Sequence, residues 1–169
     1  MSRYVHILTQ HCSVLLISLN FVLSSEIVPK ISNERVVFQI PQGDIEFAFF
    51  PEVAPKTSDH IFELVTLGLY TGNHFFRVDK GFVAQTADVA GGRKPSEPLN
   101  EQQKAIAFQT VPLEVQQGVK HHEGIVSMAR GSATDSGASS FFIMLGSAPH
   151  LDMQYGIFGC VRMFDVYGL

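Results

Sequence analysis

The chain has 169 residues, which suits a single domain, and 46% of them are hydrophobic while 17% are charged. That balance indicates a folded core and argues against an intrinsically disordered chain. The net charge is −4, and no block rich in lysine and arginine occurs, so the electrostatic signature of a nucleic-acid-binding protein is missing and no nucleic-acid partner is expected.

The N-terminal part of the chain differs in character from the rest. Residues 14–25 form an apolar run that ends in small residues, and Arg3 is the only charged side chain before it. The run is too short to span a bilayer comfortably, so we interpret residues 1–25 as a secretory signal peptide and residues 26–169 as the domain. The expected location is the secretory pathway, in the endoplasmic reticulum lumen or outside the cell. The alternative is a signal anchor, in which case an uncleaved leader would hold the protein at a membrane.

A hairpin followed by one helix is predicted next along the chain. Residues 36–40 and 44–50 are rich in β-branched and aromatic residues, and a Pro-Gln-Gly turn separates them. After a proline-rich break, residues 57–70 show apolar positions at helical spacing, with Thr57 or Ser58 as the expected N-cap. This pattern predicts an amphipathic helix of about three turns lying on a sheet.

The remainder of the chain predicts further strands around one long loop. Residues 74–78 and 82–86 read as a second hairpin, and residues 88–122 are polar and irregular. Strand character returns in three later segments, at residues 124–130, 139–145 and 155–164. Short strands with a single helix predict a mainly β fold, a closed or nearly closed β-barrel.

Five segments carry a resemblance to a known family. In chain order they read PEVAPKTSDHIFELV, FFRVDKGFVAQTAD, GIVSMARG, SGASSFFIML and HLDMQYGIFGCV. Together they resemble the cyclophilin-type peptidyl-prolyl cis-trans isomerases, whose fold is an eight-stranded antiparallel β-barrel capped by two helices. The resemblance implies an isomerase that accelerates rotation about X–Pro bonds during protein folding. It implies no cofactor and no metal, and its partners would be proline-containing peptides and unfolded client proteins.

The resemblance ends near residue 164, whereas members of the family continue through a second helix and a final strand. The fold expected for this chain is therefore a cyclophilin-like antiparallel barrel with one capping helix, lacking the final helix and the closing strand. An open barrel would leave unpaired backbone edges. A non-functional truncated isoform is accordingly one alternative to an active enzyme.

The resemblance also implies which residues form the active site. It assigns the catalytic role to Arg77. It assigns the apolar proline pocket to Phe82, Val83, Phe142 and Leu151, with Phe158 beneath them, and contacts with the peptide backbone to Gln85, Ala129 and Arg130. A guanidinium suits this chemistry because the proline nitrogen becomes a hydrogen-bond acceptor once the peptide bond is twisted.

Four further positions depart from the pattern of the family within the expected substrate-binding groove. Ser140 stands where the family carries glutamine, Val83 replaces a methionine, and Tyr155 replaces a histidine. His150 occupies the place of a tryptophan that is associated with cyclosporin binding, so weak or absent cyclosporin binding is expected. These departures leave a second alternative open, a catalytically weak module that binds proline-containing peptides.

Several residues have simpler structural interpretations. In each of the aromatic pairs at residues 75–76 and 141–142, strand alternation predicts one side chain facing the core and one facing outward. His121 and His122 are adjacent, so their side chains point in different directions, and no partner shows the spacing of a metal ligand. A solvated loop is the expected setting of these histidines.

Overall fold

The computed structural model describes residues 26–92 and 98–162. The predicted signal peptide lies outside this part of the chain. The described residues form seven strands, β1 (Arg35–Ile40), β2 (Gly43–Phe49), β3 (Phe75–Asp79), β4 (Val83–Thr86), β5 (Ile125–Met128), β6 (Phe141–Met144) and β7 (Ile157–Arg162), and two helices, α1 (Pro55–Thr66) and α2 (Glu101–Ala107). Neither helix has the length and apolar character needed to cross a bilayer, a finding that covers the described ranges alone.

All seven strands belong to one antiparallel sheet, so the mainly β prediction is confirmed. Their order across the sheet is β1-β2-β7-β5-β6-β4-β3. Both predicted hairpins are present: Val36 pairs with Phe47 in the first, and Arg77 pairs with Gln85 in the second. The two hairpins lie at opposite ends of the strand order, and β7, β5 and β6 connect them.

Helix α1 packs one face on the sheet, as its apolar spacing predicts. Ile61 and Leu64 are fully buried on that face. The predicted cap is wrong, because Thr57 lies inside the helix and the N-cap residue, Ala54, makes no side-chain hydrogen bond. Glu114, 57 residues further along the chain, accepts hydrogen bonds from the backbone and the hydroxyl group of Thr57 at 2.8 and 2.9 Å. The Glu114 carboxylate therefore satisfies free N–H groups in the first turn of α1. The positive end of the helix dipole at this terminus also stabilises the negative charge of the carboxylate.

Helix α2 interrupts a segment that the sequence predicted to be irregular. Its N-terminus is a reciprocal capping box, in which the Asn100 side chain accepts from Gln103 N at 2.9 Å and the Gln103 side chain accepts from Asn100 N at 3.1 Å. Gln103 Nε2 also donates to Leu67 O, immediately after α1. The polar composition of this segment concealed the helix from sequence prediction, because polar side chains make both its N-terminal cap and its hydrogen bond to the end of α1.

Apolar side chains cover both faces of the curled sheet. Along β6, Phe141 and Ile143 join the larger core that includes Phe158, while Phe142 and Met144 join a second cluster on the opposite face. The predicted alternation is therefore found at residues 141–142, where the two side chains lie on opposite faces, although the outward-facing Phe142 is also buried. It is confirmed at residues 75–76, where Phe75 packs against the larger core and Phe76 is 57% exposed.

The two edge strands of the described sheet face each other across a cavity of about 720 Å³. Strand β1 pairs only with β2, and β3 pairs only with β4, within residues 26–92 and 98–162. The lining includes Phe38 from β1, Phe75 from β3 and Tyr70 from the segment that joins α1 to β3. The expected lack of a closing strand stays a prediction, because residues 163–169 lie outside the described part.

Candidate active site

The β3–β4 hairpin presents the predicted catalytic arginine beside an aromatic ring. Arg77 pairs with Gln85 across the two strands, and the hairpin turn ends at Phe82. Gly81 in this turn has a φ of +74°, a conformation that disfavours side chains, and a Cβ added at Gly146 would meet Gly81 O at 2.2 Å. The turn is thereby fixed against the segment that follows β6, which sets the position of the Phe82 ring.

The Arg77 side chain is held by a carboxylate on its own strand. Its Nε and Nη2 atoms donate to Asp79 Oδ2 at 2.8 and 2.6 Å. Both side chains are nearly half exposed. The guanidinium carbon lies 5.5 Å from the centre of the Phe82 ring, within the range of a cation–π contact. The orientation of the guanidinium is therefore set by one carboxylate, Asp79, and one ring, Phe82.

A pocket lined by both aromatic and polar side chains lies beside this cation. Phe142 from β6 forms its base, and its ring meets the Tyr155 ring edge-on at 5.6 Å between centroids. Leu151 ends a single 3₁₀ turn, Pro149–Leu151, and Tyr155 N donates to Leu151 O at 3.1 Å. The cavity measures about 190 Å³ and is lined by Arg77, Phe82, Val83, Gln85, Ala129, Arg130, Phe142, Leu151 and Tyr155.

The structure thus brings together nine of the predicted site residues. Of the three others, Ser140 and His150 lie next to the pocket without lining it. Ser140 accepts a hydrogen bond from Gln85 Nε2 at 3.3 Å and donates to Thr86 O at 2.7 Å. His150 stacks on the outer side of the Phe82 ring, with 5.9 Å between the ring centres. Phe158, expected beneath the pocket, packs instead in the larger core against Phe141.

Arg130 forms the second cationic wall of the pocket. Its Nε and Nη2 atoms donate to Gln154 O at 3.0 and 2.9 Å, and its Nη1 atom donates to Gly131 O at 2.9 Å. The guanidinium carbon lies 5.0 Å from the centre of the Tyr155 ring. Arg130 therefore fastens the segment that carries Tyr155 to the end of β5, and it shapes the pocket as well as charging it.

Behind the pocket, a buried polar network corrects the solvated-loop prediction for His121. This side chain is only 1% exposed. Its Nδ1 atom lies 3.0 Å from Asp152 Oδ1 and its Nε2 atom 3.1 Å from Ser127 Oγ, while its ring stacks on Phe142. Asp152 also accepts from Lys120 at 3.1 Å. Although serine, histidine and aspartate meet here, Ser127 is fully buried, so the network supports the pocket wall and cannot reach a substrate.

Burial of the histidines makes stability depend on pH. Burial lowers the pKa of His121 below its ordinary value, against the opposing effect of Asp152, and burial lowers the pKa of His60 in the same way. The unfolded chain then binds protons at a higher pH than the folded chain does, so the free energy of unfolding falls as the pH drops below about 6.5.

We expect urea denaturation to show a lower unfolding free energy at pH 5.5 than at pH 7.5. His121→Gln should reduce the difference between the two pH values, because it removes one of the two groups. An unfolding free energy that stays constant or rises toward pH 5.5 would contradict this prediction.

No group of three or more potential metal-binding side chains occurs in the part of the chain that the structure describes. His122, next to the buried His121, faces solvent and approaches Glu26 at 3.6 Å. The pocket offers guanidinium, amide and aromatic groups, and this set can bind and polarise an amide.

Comparison with known proteins agrees with this arrangement. The family model described as cyclophilin type peptidyl-prolyl cis-trans isomerase/CLD matches residues 35–166. A protein of Arabidopsis thaliana named peptidyl-prolyl cis-trans isomerase CYP23 is 56% identical over 137 residues, which cover 81% of this chain and 59% of the plant protein. Peptidyl-prolyl cis-trans isomerase-like 3 of Mus musculus is 39% identical over 121 residues, covering 70% of each chain. The chain thus spans less than two thirds of its plant relative.

Solved structures show the same fold. A cyclophilin-type isomerase of Cryptosporidium parvum, determined in the presence of the dipeptide Ala-Pro, superposes with a TM-score of 0.63 at 25% identity, covering 78% of this chain and 80% of that one. A cyclophilin from Hirschia baltica gives a TM-score of 0.61 at 25% identity, covering 75% and 62%. The expected cyclophilin-like fold is confirmed.

Proposed function

The chain belongs to the cyclophilin-type peptidyl-prolyl cis-trans isomerase family, and from that premise we propose that it catalyses cis–trans isomerisation of X–Pro bonds in peptides and unfolded proteins. The observation that supports this most directly is the position of Arg77. Its side chain lines a cavity of about 190 Å³ together with the rings of Phe82, Phe142 and Tyr155, a space suited to one small ring. The β3–β4 hairpin that carries Arg77 also supplies Phe82, Val83 and Gln85 to the lining.

The reaction needs no covalent chemistry from the protein. The barrier of about 18–20 kcal/mol arises because twisting the peptide bond destroys amide resonance. In the twisted state the proline nitrogen regains a lone pair and can accept a hydrogen bond. A donor aimed at that nitrogen stabilises the twisted state more than the planar one, which lowers the barrier. Arg77 supplies such a donor, because a guanidinium presents several N–H groups in a rigid fork.

The other residues hold the two sides of the bond. Phe142, Leu151 and Tyr155 would grip the proline ring, with Phe82 at the rim. Gln85 and the end of β5 would bind the peptide backbone and hold it while the carbonyl before the proline rotates. Holding the proline ring in place while the preceding carbonyl rotates restricts the bound peptide to the conformations that lead to isomerisation.

The proposal is tested by adding catalytic amounts of the full chain to an Ala-Pro peptide and following cis-to-trans exchange. Uncatalysed exchange takes about 10–100 s, so acceleration is readily observed. We expect exchange to quicken in proportion to protein concentration. A properly folded chain that leaves the rate unchanged would overturn the proposal.

One observation favours a second function, a peptide-binding module of low activity. The amide of Gln85 donates to Ser140, the residue that stands in place of the glutamine usual in the family. The serine side chain is shorter than that of glutamine, so it extends less far toward the backbone of a bound peptide. If peptide addition shifts the resonances of Tyr155 and Phe142 while exchange stays at the uncatalysed rate, the binding module is the correct function.

We further propose that the protein enters the secretory pathway and that it binds cyclosporin weakly. The apolar run at residues 14–25 supports entry into the secretory pathway, where unfolded proteins would be clients. A reporter fused after residue 25 should appear in that pathway, and extraction at alkaline pH separates a cleaved leader from an anchor. His150 beside Phe82 supports weak cyclosporin binding, which a calorimetric titration would measure.

A further inference from the structure

We propose that Asp79 is a positioning residue for the reaction: it holds the Arg77 guanidinium in the orientation from which it can reach a bound X–Pro bond. This inference rests on the proposed isomerase function. It assigns a role to a side chain outside the pocket lining, and the role acts through Arg77 and not through contact with the peptide.

The geometry of the Arg77–Asp79 pair supports this role. Residues 77 and 79 are two apart on β3, so their side chains share one face of the strand. Both hydrogen bonds end on the same oxygen, Asp79 Oδ2, and they use the Nε and Nη2 edge of the guanidinium. The Nη1 atom lies outside this edge, and its two hydrogens are available to another acceptor.

The hydrogen bonding of the neighbouring amide, Gln85, also supports this role. Gln85 lies directly across the hairpin from Arg77, yet its amide donates to Ser140. Within the described residues, the Arg77 side chain donates its hydrogen bonds to Asp79 alone. The carboxylate is therefore the polar group that fixes the plane of the guanidinium, and Phe82 supports it from one side.

The two possible effects of a nearby anion have opposite signs. Asp79 reduces the net charge at the site, which would slow the reaction, and it fixes the donor, which would speed the reaction. Both side chains are nearly half exposed, so water screens the charge effect. Water does not restore a lost orientation, and small misplacements of a reacting group cost large factors in rate. Orientation therefore dominates.

The test compares three variants of the full chain. Asp79→Asn keeps the shape of the side chain and removes its charge, and we expect kcat to fall about 5–30-fold while KM stays within about twofold. Asp79→Glu restores a carboxylate and should recover part of the loss. Glu101→Gln is the control, because it removes another solvent-exposed ion pair, Glu101 with Lys104 at 2.8 Å, on α2 and away from the pocket. The control should leave kcat unchanged.

A second readout separates this inference from the proposed function. The Arg77 Nε–Hε group should give a resolved NMR resonance in the wild type, protected by Asp79, and the signal should broaden in Asp79→Asn. If kcat in Asp79→Asn equals or exceeds the wild-type value, the positioning role is overturned. If the wild type shows no exchange, the proposed function fails, and a resonance that is unchanged in Asp79→Asn then rejects the positioning role as well.

Discussion

Replacing Arg77 with alanine is expected to lower kcat/KM about 10²–10³-fold, the usual effect of removing one donor that stabilises a transition state. The planar X–Pro bond offers no lone pair on nitrogen, so the lost interaction belongs mainly to the twisted state. The loss should therefore fall on kcat far more than on KM. Exchange measured over a range of peptide concentrations separates the two parameters.

Two further variants show whether the donor or the charge is responsible. Arg77→Lys keeps a positive charge but loses the planar fork, so its activity should lie between the alanine variant and the wild type. Arg35→Ala is the matched control, because Arg35 lies on β1 at the other end of the sheet and pairs with Glu46. Equal activity of wild type and Arg77→Ala would exclude Arg77 from the reaction.

The largest expected effect on stability comes from Phe141→Ala, which should lower the free energy of unfolding by about 3–5 kcal/mol. The side chain is fully buried, and its ring lies 5.3 to 6.1 Å from four other aromatic rings. These rings belong to Phe38, Phe47, Tyr70 and Phe158. Truncation leaves a cavity that rings fixed on several strands cannot close.

Urea denaturation measures this effect, and Phe76→Ala is the matched control. Phe76 has the same side chain on β3 but is 57% exposed, so its truncation should change the unfolding free energy by less than about 1 kcal/mol. Similar losses in both variants would contradict the burial assigned to Phe141.

Local patterns in the sequence predicted much of the fold and the site. The strand-like runs at residues 74–78 and 82–86 predicted the β3–β4 hairpin, in which the structure pairs Arg77 with Gln85. The family resemblance supplied the residues from distant segments, such as Phe142 and Leu151, which composition and spacing alone could not have brought to one pocket. Strand pairing across long loops depends on the whole sheet, so a single sequence does not specify it locally.

The features that sequence reasoning missed are polar contacts between distant or neighbouring side chains. Glu114 caps α1 from a separate loop, and His121 is buried because Asp152 and Ser127 satisfy both of its ring nitrogens. Neither partnership has a local signal. Asp79 did have one, because a carboxylate two residues from Arg77 on a strand must share its face.

The most direct test of the account is the rate of cis–trans exchange of an Ala-Pro peptide while it is bound to the protein. Two-dimensional exchange NMR at stoichiometric concentrations measures this rate separately from dissociation. For the wild type, the account predicts bound-state exchange faster than that of the free peptide by about 10³-fold or more, and it predicts that Arg77→Ala loses most of this acceleration while still binding. Bound peptide that exchanges no faster than free peptide would contradict the account, because the pocket would then bind proline without lowering the barrier.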